Sequence, residues 1–305
     1  MTTKTVFMGS PQFVVPVMNE LIAHYKVCGV VTQPDRPAGR GKKLTPPAVK
    51  VRAMEEGIPL IQPNKLSESG VYEQIKSWNP DFIVVAAFGQ ILRKNLLELP
   101  VFGCINVHAS LLPRWRGVSP IQTAILKGDL KSGITIMKMD EGIDTGPILR
   151  KKEMKILPED TSETLTNKLF EMGAPFLIDV LEDWIDKKIE PIKQVEDQAT
   201  YAYKIKKQHG LLDLNKSSED LINQIRAYDP WPGSFVQVEE MNIKIHQAVS
   251  TKGESRIGER IILEGLPAIG IADGWLVLKI LQPPGKKPME GRGFLNGARY
   301  WIQDK

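Results

Sequence analysis

The sequence predicts an α/β protein: a doubly wound parallel sheet in the first half, then a small β-barrel. Three observations carry this. Between residues 5 and 108, apolar runs of strand length alternate with helical patterns, as in a parallel sheet with helices on both faces. A helical pattern over 162–187 closes that region. From residue 235 the pattern becomes short strands at roughly ten-residue spacing, which suggests a small barrel.

The elements follow in order. Residues 5–8 form an apolar strand that runs into the turn Gly9-Ser10-Pro11, and 13–22 reads as a helix. A second strand at 26–32 leads into 33–47, a long polar stretch whose Pro and Gly content argues against regular structure. Loops of that length in a compact domain are usually functional or disordered. A short helix at 48–56, a short strand at 59–62 and a helix at 68–78 follow. Residues 81–88 and 104–108 are the next strands. Ligands bind beyond the carboxyl ends of such strands, which here points to Phe88-Gly89 and His108-Ala109-Ser110. Strands at 133–139 and 148–154 flank a turn containing Asp144. Helix 162–187 carries Leu165, Leu169, Phe176, Ile178, Leu181 and Ile185 at helical spacing. Residues 190–207 are polar and irregular, which suits a linker. One helix at 218–227 then precedes strands at 235–238, 243–248, 260–264, 268–272 and 275–281.

A chain of 305 residues, 42% hydrophobic and 25% charged, has the composition of a soluble two-domain protein. No apolar run approaches a membrane span. The amino terminus enters a strand almost at once, which leaves no room for a signal or transit peptide. Cys28 and Cys104 lie inside apolar runs and read as buried, reduced thiols, so a cytoplasmic location is expected. A monomer is expected. The net charge of +4 does not by itself imply nucleic acid, but its distribution does more. Basic residues cluster at Arg36, Arg40, Lys42, Lys43, Lys50 and Arg52, at Lys204, Lys206 and Lys207, and at Lys286, Lys287, Arg292 and Arg299. Most lysines form a solvated face; three clusters with little acid between them point to a phosphate backbone.

Asn106 and His108, two apart on a strand, project to the same side. Asp144 sits in a Gly-bounded turn that can fold back toward them. They supply an amide donor, an imidazole and a carboxylate. No Ser or Cys nucleophile accompanies them, and no second His or Cys stands at zinc spacing, so no metal is expected. The set suits group transfer between two bound substrates. Structural alternatives are a His108 that caps a strand end and an Asp144 that makes an Asx turn. Asp140, four residues earlier, is a rival carboxylate. A nicotinamide site is a poor fit: Gly9 stands alone, and Gln33 ends the second strand where a ribose-binding acid belongs.

Asn106-x-His108 with Ser110-Leu111-Leu112-Pro113, and Gly133-Ile134-Thr135-Ile136 with Asp140-x-Gly142-x-Asp144-Thr145-Gly146, resemble the folate-dependent formyltransferases. The resemblance covers nearly the whole chain and is closest at 32–43, 103–122 and 283–287. It implies a Rossmann-like catalytic domain at 1–189, a linker at 190–207 and an OB-like, tRNA-binding barrel at 208–305. The basic loop and the C-terminal half point to members acting on charged initiator tRNA. The implied reaction moves a formyl group from 10-formyltetrahydrofolate, a co-substrate, to the amine of methionine on initiator tRNA for translation initiation.

Such a transfer develops negative charge on the formyl oxygen and releases an amine proton, so it needs donors and an acceptor. The resemblance assigns these roles to Asn106, His108 and Asp144. It places folate against Phe88, Gly89, Gln90, Ile91 and Leu92 and against Ser110, Leu111, Leu112 and Pro113. Arg93 departs from the family, which usually has Pro there. The tRNA would meet Arg36, Arg40, Lys42, Lys43, Arg114, Lys206, Lys286 and Lys287. Arg114-Trp115-Arg116-Gly117 forms either a loop packed by Trp115 or a rim where guanidinium and indole meet substrate, a pairing that suits splayed RNA ends. Rival readings are a formyltransferase for a sugar or nucleotide amine, a formylfolate hydrolase, and a non-catalytic RNA-binding protein.

Overall fold

A computed structural model describes residues 3–38, 41 and 43–302. Arg40 and Lys42 lie outside the described residues. The chain forms two compact units, the first of residues 1–120, 132–154 and 166–202, the second of 121–131, 155–165 and 203–305.

The chain begins with β1 (Lys4–Gly9), α1 (Val15–His24), β2 (Lys26–Val31), β3 (Arg36–Ala38), β4 (Lys43–Thr45), α2 (Ala48–Glu55) and β5 (Leu60–Ile61). It continues through α3 (Val71–Ser77), β6 (Phe82–Ala86), α4 (Lys94–Leu97), β7 (Cys104–His108), β8 (Arg116–Gly117) and α5 (Pro120–Leu126). Then come β9 (Lys131–Lys138), β10 (Ile148–Lys155), α6 (Ser162–Ile185) and β11 (Tyr201–Ala202).

A seven-stranded sheet, in the order β10-β9-β7-β6-β1-β2-β5, forms the first unit's frame. β5 to β7 pair in parallel through β2, β1 and β6. Every residue of β6 and β7 is buried, as expected of strands covered on both faces. β7 pairs antiparallel with β9, so the sheet is mixed and not wholly parallel as expected. An apolar run records burial but not direction, which is why the sequence did not distinguish the two. The order reverses at β1: β2 and β5 extend to one side, β6 and β7 to the other. The crevice between the carboxyl ends of β1 and β6 is therefore the topological switch point.

Two stretches are more ordered than their composition suggests. The polar loop at 33–47 contains an antiparallel ribbon in which Arg36 faces Thr45 and Pro37 faces Leu44. Strands of three residues are too short for a period-two pattern to register. The stretch read as a linker is also built into the first unit up to residue 202. Ile192 bridges Ile148, Glu196–Gln198 forms a 3-10 turn, and β11 pairs in parallel with β8.

Both cysteines are free, and burial pushes the Cys104 thiol up to about 12 and raises that of Cys28. Thiols of that kind are unreactive.

The second unit contains α7 (Ser218–Ala227), β12 (Ser234–Val238), β13 (Met241–Thr251), β14 (Arg260–Leu263), β15 (Leu266–Ile271), β16 (Gly274–Gln282), β17 (Met289–Glu290) and α8 (Gly291–Leu295). Ser217 caps α7: its Oγ accepts from Asp220 N at 3.2 Å and donates to Asp220 Oδ2 at 2.9 Å. The sheet order is β12-β13-β16-β15-β14, with β17 on β16 and antiparallel pairing throughout. Leu221 and Ile225 of α7 pack with Ile243, Ile245, Leu276, Leu278, Phe294 and Trp301 in one core. The earlier segment 155–165 is pinned here, because Arg226 donates to the carbonyls of Asp160 (2.9 Å) and Leu157 (3.0 Å). No described helix is long and apolar enough to cross a membrane.

Candidate active site

β7 ends at His108, and its alternation puts Asn106 and His108 on one face. Both side chains are buried. The turn after β9 brings Asp144 to them. Asn106 Nδ2 donates to Asp144 Oδ1 at 3.2 Å, and His108 Nδ1 lies 3.5 Å from the same oxygen. Asp144 Oδ2 accepts from the backbone N–H of Gly117 at 2.8 Å. The other imidazole nitrogen, His108 Nε2, is 3.1 Å from the carbonyl oxygen of Trp115. A carbonyl only accepts, so Nε2 carries a proton whenever this bond is made. Nδ1, facing the carboxylate, is then the position at which His108 gains or loses its proton.

Asp144 adopts a left-handed backbone with φ 54°, which Asp tolerates better than most residues. That conformation is held from outside its own turn. Gln194 Nε2 donates to the carbonyls of Asp144 and Gly146, both at 2.8 Å. Gln194 Oε1 in turn accepts from Arg116 Nε at 3.0 Å. The buried Arg116 guanidinium closes a bidentate pair on Glu196, with contacts of 2.8 and 3.0 Å. Thr200 receives Trp115 N through its hydroxyl at 2.9 Å and Arg116 N through its carbonyl at 2.8 Å. The loop 114–117 is thus strapped to 194–202. Gly117 is required at its end: φ is 115°, and an added Cβ would sit 2.6 Å from Ala202 O. Gln194 and Thr200 were not among the residues singled out from sequence, and Arg116 and Gly117, read there as part of a packed loop or a rim, turn out to hold the strap. Their partners lie far along the chain, and such bonds leave no motif.

The Asx-turn alternative does not describe Asp144, whose carboxylate reaches Asn106 and Gly117. It does describe the rival Asp140, whose Oδ1 accepts from Gly142 N (3.1 Å) and Thr145 Oγ1 (2.6 Å).

A cleft of about 530 Å³ opens at the switch point, lined among others by Ser10, Pro11, Gln33, Arg36, Phe88 and Gly89. Gln33 ties its walls together: its amide donates to Phe88 O at 3.0 Å and accepts from Arg36 at 3.1 Å. Beside Gly89, space is open where a Cβ would stand. The other folate candidates divide. Leu92 belongs to the core behind the cleft, and Gln90 is tied to Leu66 N at 2.8 Å. Ile91 is 71% exposed. Ser110 and Leu112 are buried; Leu112 packs on Met137 and Ile148, and its N–H donates to Thr135 Oγ1. Leu111 and Pro113 are half-buried, so they are the side chains of that loop open to a ligand.

Of the basic candidates, Arg36, Lys43 and Arg114 are exposed on the first unit, and Arg114 stacks 4.2 Å from the centre of the Trp115 ring. Lys206, Lys286 and Lys287 are exposed on the second. Among the described residues no three His, Cys, Asp or Glu side chains converge as metal ligands would.

Residues 3–181 match the family described as Formyl transferase, and residues 204–299 match Formyl transferase, C-terminal domain. The chain is 46% identical to the methionyl-tRNA formyltransferase of Bacillus pumilus, over 99% of this chain and 97% of that protein. It is also 46% identical to the enzyme of the same name from Bacillus subtilis, over 97% and 95%. An N-formyltransferase structure from Helicobacter canadensis, in complex with folinic acid and dTDP-3-aminofucose, superposes with a TM-score of 0.67. That likeness covers 93% of this chain and 100% of the other; at 20% identity it speaks to the fold alone.

Proposed function

This chain belongs to the formyl transferase family, and on that premise we propose that it transfers a formyl group from 10-formyltetrahydrofolate to the amine of methionine on initiator methionyl-tRNA. It acts in the cytoplasm as a monomer, at the start of protein synthesis. The observation that carries this reading is the convergence of Asn106, His108 and Asp144 at the carboxyl end of β7, in a chain matched end to end by relatives of that name.

The chain's own groups can serve each step. One N–H of the Asn106 amide reaches Asp144, and the second remains to donate to the formyl oxygen as negative charge develops. Protonated Nδ1 of His108 is a second donor at the same face. The Asp144 carboxylate accepts the proton released by the attacking amine, directly or through water. The bond from Gly117 N keeps that carboxylate oriented. The co-substrate supplies the formyl carbon and leaves with one proton on its nitrogen.

Phe88 and Gly89, with Ile91, Leu111 and Pro113, are proposed to hold the folate; Gln90, Leu92, Ser110 and Leu112 fix the shape of those loops from behind. The open space at Gly89 supports this, since a flat ring can approach its backbone. The charged end of the tRNA is proposed to enter past Arg36, Arg40, Lys42, Lys43 and Arg114. The second unit, proposed to be an OB-like barrel, would add Lys206, Lys286 and Lys287. Its antiparallel strands and the bulges of β13 between Ile245 and Ala248 support that shape.

The test offers the protein labelled formylfolate with charged initiator tRNA, charged elongator tRNA and small amino sugars in parallel. Transfer confined to charged initiator tRNA is expected. Preferred transfer to a sugar amine, or release of free formate, would replace this reading.

A further inference from the structure

Lys286 and Lys287 stand on a turn whose own bonds do not fix its direction. Pro283 O accepts from Lys286 N at 3.1 Å, and Gly285 has φ 74°. Pro284 followed by a left-handed Gly is the chemistry of a type II turn. The turn is tied to the sheet by Gln282, the last residue of β16, whose Nε2 donates to Lys286 O at 2.7 Å. The amide oxygen then faces the other way, 3.1 Å from Nε2 of His246 on β13. That nitrogen must donate. On the far side of the ring, Nδ1 is 3.2 Å from Asp229 Oδ1, a carboxylate that accepts. Neutral imidazole has one N–H and imidazolium has two. Both bonds together therefore require His246 to be charged.

Of the groups that face the ring, Asp229 and Gln282 favour the charge and Lys244 opposes it. The hydrogen bond to Asp229 raises the His246 pKa above the ordinary 6.5, aided by Gln282, while burial and Lys244 oppose it. Lys244, the cross-strand partner of Gln282, lies on the same strand as the ring.

We propose that His246, in its charged form, is a positioning residue that holds the Lys286–Lys287 turn, through Gln282, in the orientation that meets tRNA phosphates. The proposal rests on the reading of those lysines as tRNA contacts. Deprotonation leaves one ring nitrogen facing an acceptor without a proton, removes a charge, and frees Gln282 to let go of Lys286. The folded-state pKa is raised, so the latch is fully present below the ordinary imidazole value. It is lost as pH rises through the raised one.

The experiment measures binding of uncharged initiator tRNA to the full-length protein from roughly pH 5 to 9, bracketing the imidazole range, at several salt concentrations. Wild-type affinity should fall about three- to tenfold as pH rises, the scale of one ordinary hydrogen bond. His246→Gln should bind weakly at low pH and lack that step. Gln282→Leu keeps the His246–Asp229 pair and should still lose affinity. Nitrogen spectra of the wild-type ring should show both nitrogens protonated near neutrality. A ring that is neutral there, or a His246→Gln protein with an unaltered pH step, would overturn the latch. Replacing Lys286 and Lys287 by Ala should lower the salt slope by about one per lysine. If that pair changes nothing while the ring stays charged, the assignment of the turn to tRNA has failed, and the latch positions nothing.

Discussion

At the scale of single residues, three non-glycine positions adopt a left-handed backbone around the site: Ala87, Trp115 and Asp144. Each such residue stores on the order of 1–3 kcal/mol and persists only where its surroundings over-determine it. At Asp144 the carboxylate is held by Asn106 and Gly117 and the carbonyl by Gln194. Asp144→Asn should therefore fold, since Asn accepts the same φ and its amide oxygen can still take the Gly117 bond. Turnover should fall roughly 100- to 10,000-fold through loss of the proton acceptor. A formylation assay on a variant of unchanged melting temperature checks this; near-normal turnover would remove Asp144 from the catalytic set. Asn106, His108 and Asp144 were legible in sequence because strand alternation and a Gly-bounded turn place side chains without knowledge of the rest of the fold. Gln194 was not, because the two acceptors of its amide nitrogen are carbonyl oxygens about fifty residues earlier.

At the scale of elements, β7 carries the donors but the strap at 194–202 fixes their partner. Gln194→Ala leaves the carbonyls of Asp144 and Gly146 without that donor, a loss of about 1–3 kcal/mol for each that stays buried. The expected result is a lower melting temperature and a reduced kcat, with KM for folate little changed. A kcat equal to wild type would make the strap structural only. Gly117→Ala should be harsher, because its Cβ meets Ala202 O and breaks the β8–β11 pair. Strand and helix positions were readable from apolar periodicity across the first sheet. The direction of β9, the ribbon at β3 and β4, and the strap were not. Direction leaves no trace in burial, three-residue strands are shorter than the pattern that reveals them, and a strap built from polar bonds reads as a linker.

At the scale of the whole molecule, the chain passes between its two units five times. Segments 121–131 and 155–165 belong to the second unit although they precede the end of the first. A chain cut after Ala202 would strand them, taking away Arg226 from Leu157 and Asp160, and Asp229 O from Ser162. Such a fragment should still bind folate and lose tRNA affinity, but it should melt roughly 5–10 °C lower. Calorimetry and tRNA binding check this, and a fragment as stable as the intact chain would make the interleaving inconsequential. The same bond between Gln194 and Asp144 also sets an order in time. A ribosome making this chain releases Asn106, His108 and Asp144 well before residue 194 emerges, so the nascent protein carries the proposed catalytic groups for some fifty residues before Gln194 can lock Asp144.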